Sequence, residues 1–312
     1  MPKSFKLSLA LATSALIAWT AFTYPAVGQL TYEAVSGTEA RLYGLHKRHI
    51  QVGGVPFVIY ESDGMGEPIL MLHGFTADKD VWARFARHFA QGHRVIVPDL
   101  PGHGETGHQP ALNYGMTAQV ERLVALLDAL KVGKIHVIGN SMGGNLAAQF
   151  ALDHPERTLS MALVDPAGLP QPHPSAMRQM LASGHNPFLI QSRSAFYSFY
   201  PMTMADPPFM PGFVLDAIAD RYIAQRQAFA HIFADIEQPT RLQSQASDIQ
   251  APGLLLWGRE DQLIDVSAVQ SWRQVLPGLK VVVWDGVGHM PMVERPGETA
   301  ELYQAFIDGL PR

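Results

Sequence analysis

Five residues, Gly139-Asn140-Ser141-Met142-Gly143, constrain this chain more than any other feature. They read G-x-S-x-G and lie between an apolar run, Lys134-Ile135-His136-Val137-Ile138, and a helix-forming run from Asn145 to Leu152. A strand that turns sharply into a helix around such a motif makes a nucleophile elbow, which holds the serine in a strained conformation with its hydroxyl exposed. Gly139, Gly143 and Gly144 remove the Cβ atoms that would obstruct close backbone packing. The helix starting here aims unpaired N–H groups and the positive end of its dipole at the hydroxyl. Ser141 is therefore the candidate nucleophile, and the other candidates are found relative to it.

The apolar runs Phe57–Tyr60, Ile69–Leu72, Arg94–Val97, Ile135–Ile138, Met161–Val164, Leu254–Trp257 and Val281–Trp284 predict strands. They are continuous in Val, Ile and Leu and do not alternate with polar residues, which predicts burial on both faces. An α/β fold follows: a mostly parallel, eight-stranded sheet flanked by helices. Between strands, Val120, Leu123, Val124, Leu127 and Leu130 recur at helical spacing. The rhythm stops at 167–250, a stretch rich in Pro, Met and aromatics with helical pieces near Ser175–Ser183 and Gly212–Phe233. This predicts a cap inserted after the sixth strand, over the sheet edge where such folds bind ligands. The core then comprises 33–166 and 251–312, with 33–50 read as a stalk or short helix leading into it.

Composition narrows the function. The net charge is −5 and no Lys/Arg run exceeds Lys47-Arg48, so nucleic acid is not an expected partner. The chain has no Cys, which excludes disulfides, thiolate catalysis and Cys-ligated zinc. Lys3 and Lys6 precede an apolar run from Leu7 to about Val27, and no charge follows until Glu33. Such a run is long enough to cross a bilayer core of ~30 Å. Residues 1–32 are therefore expected to be a single-pass anchor, with the catalytic domain on the non-cytoplasmic side and near a lipid surface. The alternative is a signal peptide cleaved at the weak site Ala26-Val27-Gly28, leaving a secreted or periplasmic protein.

A serine hydroxyl needs a base within hydrogen-bond reach. With the elbow as anchor point, the expected chain order is Ser, then acid, then His. His289 lies just past the last strand, in Asp285-Gly286-Val287-Gly288-His289, and is the candidate base. Asp261 follows the preceding strand in Trp257-Gly258-Arg259-Glu260-Asp261 and is the candidate acid. Asp165, after the sixth strand, is its rival, with Glu260 and Asp265 behind. The oxyanion hole is assigned to the backbone N–H groups of Met142 and Phe75, the latter in Leu72-His73-Gly74-Phe75. His73 reads as a buried imidazole shaping that loop, and Asp99 and His103 as partners in a Gly/Pro turn. Asn140 is expected to bond locally within the elbow. No metal-ligand spacing emerges, and the chemistry calls for no cofactor.

Taken together, His73-Gly74-Phe75, Asp99 to Gly104, Gly139 to Gly144, Trp257 to Asp261 and Gly288-His289 resemble the α/β-hydrolase fold superfamily. A closer resemblance is to membrane-anchored monoacylglycerol lipases and related bacterial lipases. It rests on Asp78-Lys79-Asp80, Asp165-Pro166-Ala167-Gly168-Leu169, Asp261 to Ser267 and Glu294-Arg295-Pro296. The resemblance implies a serine hydrolase of monoacylglycerols or other acyl esters, with Ser141, Asp261 and His289 as triad and no cofactor. Fold relatives that dehalogenate or open epoxides carry Asp at the elbow, unlike Ser141. Hydrolases of C–C bonds in ring-fission products are the alternative, since they share the triad. They often have a Gly-rich loop where Phe75-Thr76-Ala77 stands here. In the cap, Phe188, Phe196, Phe199, Tyr200, Met204 and Met210 predict an oily acyl-chain pocket.

Overall fold

The structure, a computed structural model, describes residue 13, residue 24 and residues 26–310. Helix α1 (residues 26–42) leads into a hairpin of β1 (Leu45–Val52) and β2 (Val55–Ser62). Its two-residue turn is Gly53-Gly54, both at positive φ, as a tight hairpin requires. There follow β3 (Gly66–Leu72), the one-turn α2 (Ala83–Ala86), β4 (His93–Pro98), α3 (Met116–Ala129), β5 (Ile135–Asn140), α4 (Met142–Asp153) and β6 (Thr158–Val164). A helical region comes next, with α5 (Ala176–Ala182), α6 (Arg193–Phe199), α7 (Gly212–Ile236) and α8 (Leu242–Gln245). The chain then returns to the sheet through β7 (Gly253–Gly258), α9 (Ala268–Val275), β8 (Lys280–Trp284), α10 (Pro291–Glu294) and α11 (Pro296–Asp308).

The eight strands form one sheet in the order β1-β2-β4-β3-β5-β6-β7-β8. Only the β1–β2 and β2–β4 pairs are antiparallel. The unbroken apolar runs divide between two cores because alternate side chains leave opposite faces of a strand. In β3, Leu70 and Leu72 pack with Leu123 and Leu127 of α3 and Leu146 and Phe150 of α4. Ile69 and Met71 pack on the other side with Phe85 of α2 and Tyr303 and Phe306 of α11. Burying each such side chain contributes roughly 1.5–3 kcal/mol, so both helical layers are held by the same strands. The parallel pairing of β3, β5, β6, β7 and β8 brings the loops after these strands to one edge, and the site is built there.

Two expectations change. Residues 45–52 are not a stalk: they form β1, at the edge of the sheet. Its residues His46, Lys47, Arg48 and His49 are exposed, so it lacks the apolar pattern of the inner strands. Charge on an edge strand discourages pairing with another chain. The membrane-anchored placement is also corrected. Among the described residues no helix is long and apolar enough to cross a membrane. Most of the run from Leu7 to Val27 lies outside the described residues. The part that is described, from Ala26, continues into α1, which carries Gln29, Glu33, Glu39 and Arg41 and packs on the folded domain. Gly28 sits so close to Phe213 and Ala217 of α7 that a Cβ would clash, Ala40 is buried, and Glu39 accepts a hydrogen bond from Arg84 at 2.9 Å.

Candidate active site

Ser141 sits between β5 and α4 at φ 58° and ψ −118°, a strained conformation for a residue with a side chain. Neighbouring backbone holds it there. Its N–H donates to the Val164 carbonyl at 3.0 Å, and its carbonyl accepts from Asn145 and Ala167, each at 3.0 Å. A Cβ at Gly139 would strike the Gly143 carbonyl oxygen, and one at Gly143 would strike that of Leu72. Glycine at both positions lets β3, β5 and the start of α4 meet beneath the serine. Met142 opens α4, so its N–H has no intrahelical acceptor.

The loops after β7 and β8 bring Asp261 and His289 together. His289 Nδ1 lies 2.7 Å from Asp261 Oδ2, and both side chains are almost fully buried. Asp261 Oδ1 accepts from the N–H groups of Leu263 at 2.8 Å and Ile264 at 3.0 Å. These bonds fix the carboxylate so that its other oxygen faces the ring. Ser141, His289 and Phe75 line one cavity of about 520 Å³, together with the cap residues Phe188, Phe196, Phe199 and Met204. The Met142 side chain points instead into the core. The expected nucleophile, base and acid are thus gathered at one sheet edge, with the Phe75 loop beside them.

Asp165 is not separate from this cluster. One ligand atom each of Asp165, Asp261 and His289 lie within 4.8 Å of one another. It is the one group of metal-ligating types found among the described residues. Asp261 is engaged by the His289 ring and by two backbone N–H groups, and Asp165 Oδ1 by a third, so the group reads as an acid–imidazole cluster.

Other residues shape the site. His73 is buried; Leu100 N–H donates to its Nε2 at 2.9 Å, and its Nδ1 lies 2.8 Å from the Gly74 carbonyl. Burial pushes His73 down to about 4 and His103 to about 3, so both rings are neutral near pH 7. Asp99 organises the turn as expected: it accepts from Lys79 N–H and Nζ at 2.8 and 2.9 Å and from Glu105 N–H at 2.8 Å. Burial works against the Lys79 charge, but Asp99, Asp80 and Glu105 hold its ammonium above the ordinary lysine value.

Three features escape motif reading. Asn140 reaches beyond the elbow, donating through Nδ2 to the carbonyls of Val164 at 3.1 Å and His289 at 2.8 Å. It therefore ties the nucleophile strand to the base. Glu294 accepts from Gly288 N–H at 2.9 Å, Ala205 N–H at 2.8 Å and Asp206 N–H at 2.9 Å. It joins the His289 loop to the cap. In α7, Arg221 pairs with Asp78 at 3.2 Å, and Tyr222 lines the same cavity as Thr76. Thr76 follows Phe75 and holds φ 65°, an unfavourable value for a β-branched residue.

Residues 67–296 match the family described as alpha/beta hydrolase fold. The chain belongs to that family. Among its relatives, this α/β hydrolase is 35% identical to Lipase 1 of Psychrobacter immobilis, over 80% of this chain and 80% of that protein. It is 28% identical to monoacylglycerol lipase abhd6-B of Xenopus laevis, over 86% of this chain and 84% of the relative. Among solved structures it resembles a membrane phospholipase A described as a bacterial virulence factor. That likeness has TM-score 0.88, 36% identity and 99% coverage of both chains.

Proposed function

We propose that this α/β hydrolase cleaves acyl esters of monoacylglycerol type through an acyl-serine intermediate. The chain is a carboxylic-ester hydrolase. The observation that carries the finer reading is the meeting of Ser141 with the His289–Asp261 pair in an apolar cavity. Ser141 Oγ attacks the ester carbonyl carbon while its proton passes to His289 Nε2. Asp261 keeps the Nδ1 proton in place and stabilises the imidazolium without taking that proton. The negative charge on the former carbonyl oxygen is met by the N–H groups of Phe75 and Met142. Collapse breaks the C–O bond, and the imidazolium protonates the departing alcohol. Water then repeats the sequence on the acyl-serine, giving the acid and free Ser141.

The cavity suits an amphiphile. Phe188, Phe196, Phe199, Met204, Met210 and Met290 supply apolar wall, while Ser36, Asp78, Asp80 and Arg221 supply polar groups. Its volume of about 520 Å³ is typical of small-molecule sites. The acyl chain takes the apolar wall and a small polyol alcohol the polar one. The test is hydrolysis of p-nitrophenyl esters from C2 to C16 and of 1-monooleoylglycerol, with Ser141→Ala as control. Turnover that peaks at medium or long chains, includes the glyceride and vanishes in the control is expected. Activity confined to acetyl and propionyl esters refutes the substrate assignment. Absence of ester turnover from a folded protein whose Ser141 still reacts with a fluorophosphonate moves the reaction to C–C hydrolysis.

A further inference from the structure

The loop after β6 places a second acid behind the first. Asp165 is fully buried and holds φ 45°. Its Oδ1 accepts from Gly258 N–H at 2.8 Å, while its buried Oδ2 has no partner that can donate to it. One of its carboxylate oxygens lies within 4.8 Å of a ligand atom of Asp261 and one of His289. Asp261 receives the His289 ring and the N–H groups of Leu263 and Ile264; Asp165 receives one backbone N–H. Two buried carboxyl groups this close do not both ionise, and a proton shared between them resides on the one with fewer donors.

We infer that Asp165 is a neutral carboxylic acid whose Oδ2–H donates to Asp261, making Asp165 a positioning residue for the acid that holds His289. The groups facing it agree in direction. Burial first, then the negative charges of Asp261 and of Glu294 on α10, push its carboxyl well above the ordinary carboxylate range, and only the Gly258 N–H opposes them. His289, the remaining titratable member of the cluster, is already bonded to Asp261. The proton gives Asp261 a further donor and satisfies an oxygen that would otherwise be orphaned. Without it, Asp261 is a less stabilised anion and a stronger partner for imidazolium. The kinetic consequence rests on the triad assigned above; the protonation does not.

The deciding experiment is infrared difference spectroscopy of the full chain at pH 7, with ¹³C-aspartate labelling to assign bands. Wild type minus Asp165→Asn is expected to show the carbonyl stretch of a neutral aspartic acid, shifted by the label and by H/D exchange. No such band in wild type, or its persistence in the variant, overturns the inference whatever the enzyme hydrolyses. Asparagine keeps an N–H donor at this position and tolerates positive φ, so it is the conservative variant. Its kcat on the preferred ester is expected within about threefold of wild type. Asp165→Ala removes the donor and is expected to lower kcat about tenfold, the scale of one lost hydrogen bond. KM should stay nearly constant and the acid limb of the kcat–pH profile should move upward. Equal kcat and pH profiles in the two variants overturn the positioning role. If Asp165→Ala does not fold, the spectrum still decides.

Discussion

Glu294→Gln tests whether the loop bearing His289 is held by the cap. The carboxylate accepts three N–H groups: Gly288 through Oε1 at 2.9 Å and, at a longer 3.2 Å, Oε2, and Ala205 and Asp206 through Oε2. Glutamine keeps one acceptor oxygen, which can still serve Ala205 and Asp206. Its NH₂ then faces the Gly288 N–H, donor against donor. A largely buried donor left with only its longer contact to Oε2 costs up to about 1–3 kcal/mol, and the bonds to Ala205 and Asp206 lose their charge assistance at up to ~1 kcal/mol each. Partial solvent access reduces this, so the total is about 2–4 kcal/mol. For a chain of this size that lowers Tm by roughly 3–6 °C. Gly288 precedes His289, so the imidazole shifts as well. A displacement of a catalytic group on the order of an ångström costs up to ~100-fold. The expected result is kcat down about 10–100-fold on a p-nitrophenyl ester, with KM within about threefold. Thermal unfolding read beside steady-state kinetics checks both. Unchanged Tm and kcat would show that Glu294 does not hold this loop.

Asp261→Asn keeps the acceptor for Leu263 and Ile264 but turns an amide towards His289 Nδ1, imposing the wrong tautomer; kcat should fall about 10³–10⁴-fold with little change in KM. Tyr222→Phe removes only the hydroxyl that shares the cavity with Thr76 and should lower kcat about three- to tenfold while Tm moves little, because the strained loop beside Phe75 relaxes. An unchanged kcat would mean that the oxyanion loop holds itself. His103 is pushed down by burial to about 3. Below about pH 6.5 the unfolded chain binds a proton there that the folded chain refuses, so stability falls as pH drops from 6.5 towards 3. In His103→Gln, urea unfolding between pH 6.5 and 4.5 should show a slope shallower than wild type by about 1.4 kcal/mol per pH unit. Parallel slopes would mean that the ring is charged in the native state.

What could be read from sequence follows from which interactions leave a local signature. Inner strands such as β5 and β7 are buried along their whole length, so selection for apolar side chains on both faces writes them as Val/Ile/Leu runs. Strand β1 is wet and charged, and nothing in His46-Lys47-Arg48-His49 separates it from a linker. The placement of Ser141, Asp261 and His289 at one sheet edge was legible because each follows a readable strand in the order an elbow demands. Glu294 and Tyr222 were not, because what they meet, the backbone of a cap loop and the cavity wall at Thr76, lies far away in the chain. The leading segment misled for a related reason. Absence of charge up to Glu33 makes residues before it look like bilayer-spanning helix, yet the described helix α1 goes on to carry Glu33, Glu39 and Arg41 and packs against α7 at Gly28.

The helical region after β6 packs directly on the Phe75 loop. The Phe75 ring lies 5.2 Å from Phe188, 5.6 Å from Phe229 and 5.7 Å from Phe233, all cap residues. One residue on, Thr76 shares the cavity wall with Tyr222, and Asp78 is paired with Arg221. Arg221 in turn lies over the Tyr32 ring of α1, 5.2 Å from its centroid. The Phe75 loop is thus held by α7 as well as by the core, which grips it through His73 and Lys79, and a strained Thr76 persists only where its surroundings enforce it. A cap that shifts by a fraction of an ångström therefore alters the donor geometry at Phe75 before it alters the acyl wall. It follows that cap substitutions at Tyr222 or Arg221 act on kcat, whereas substitutions at Phe196 or Met210, on the cavity wall, act on chain-length preference.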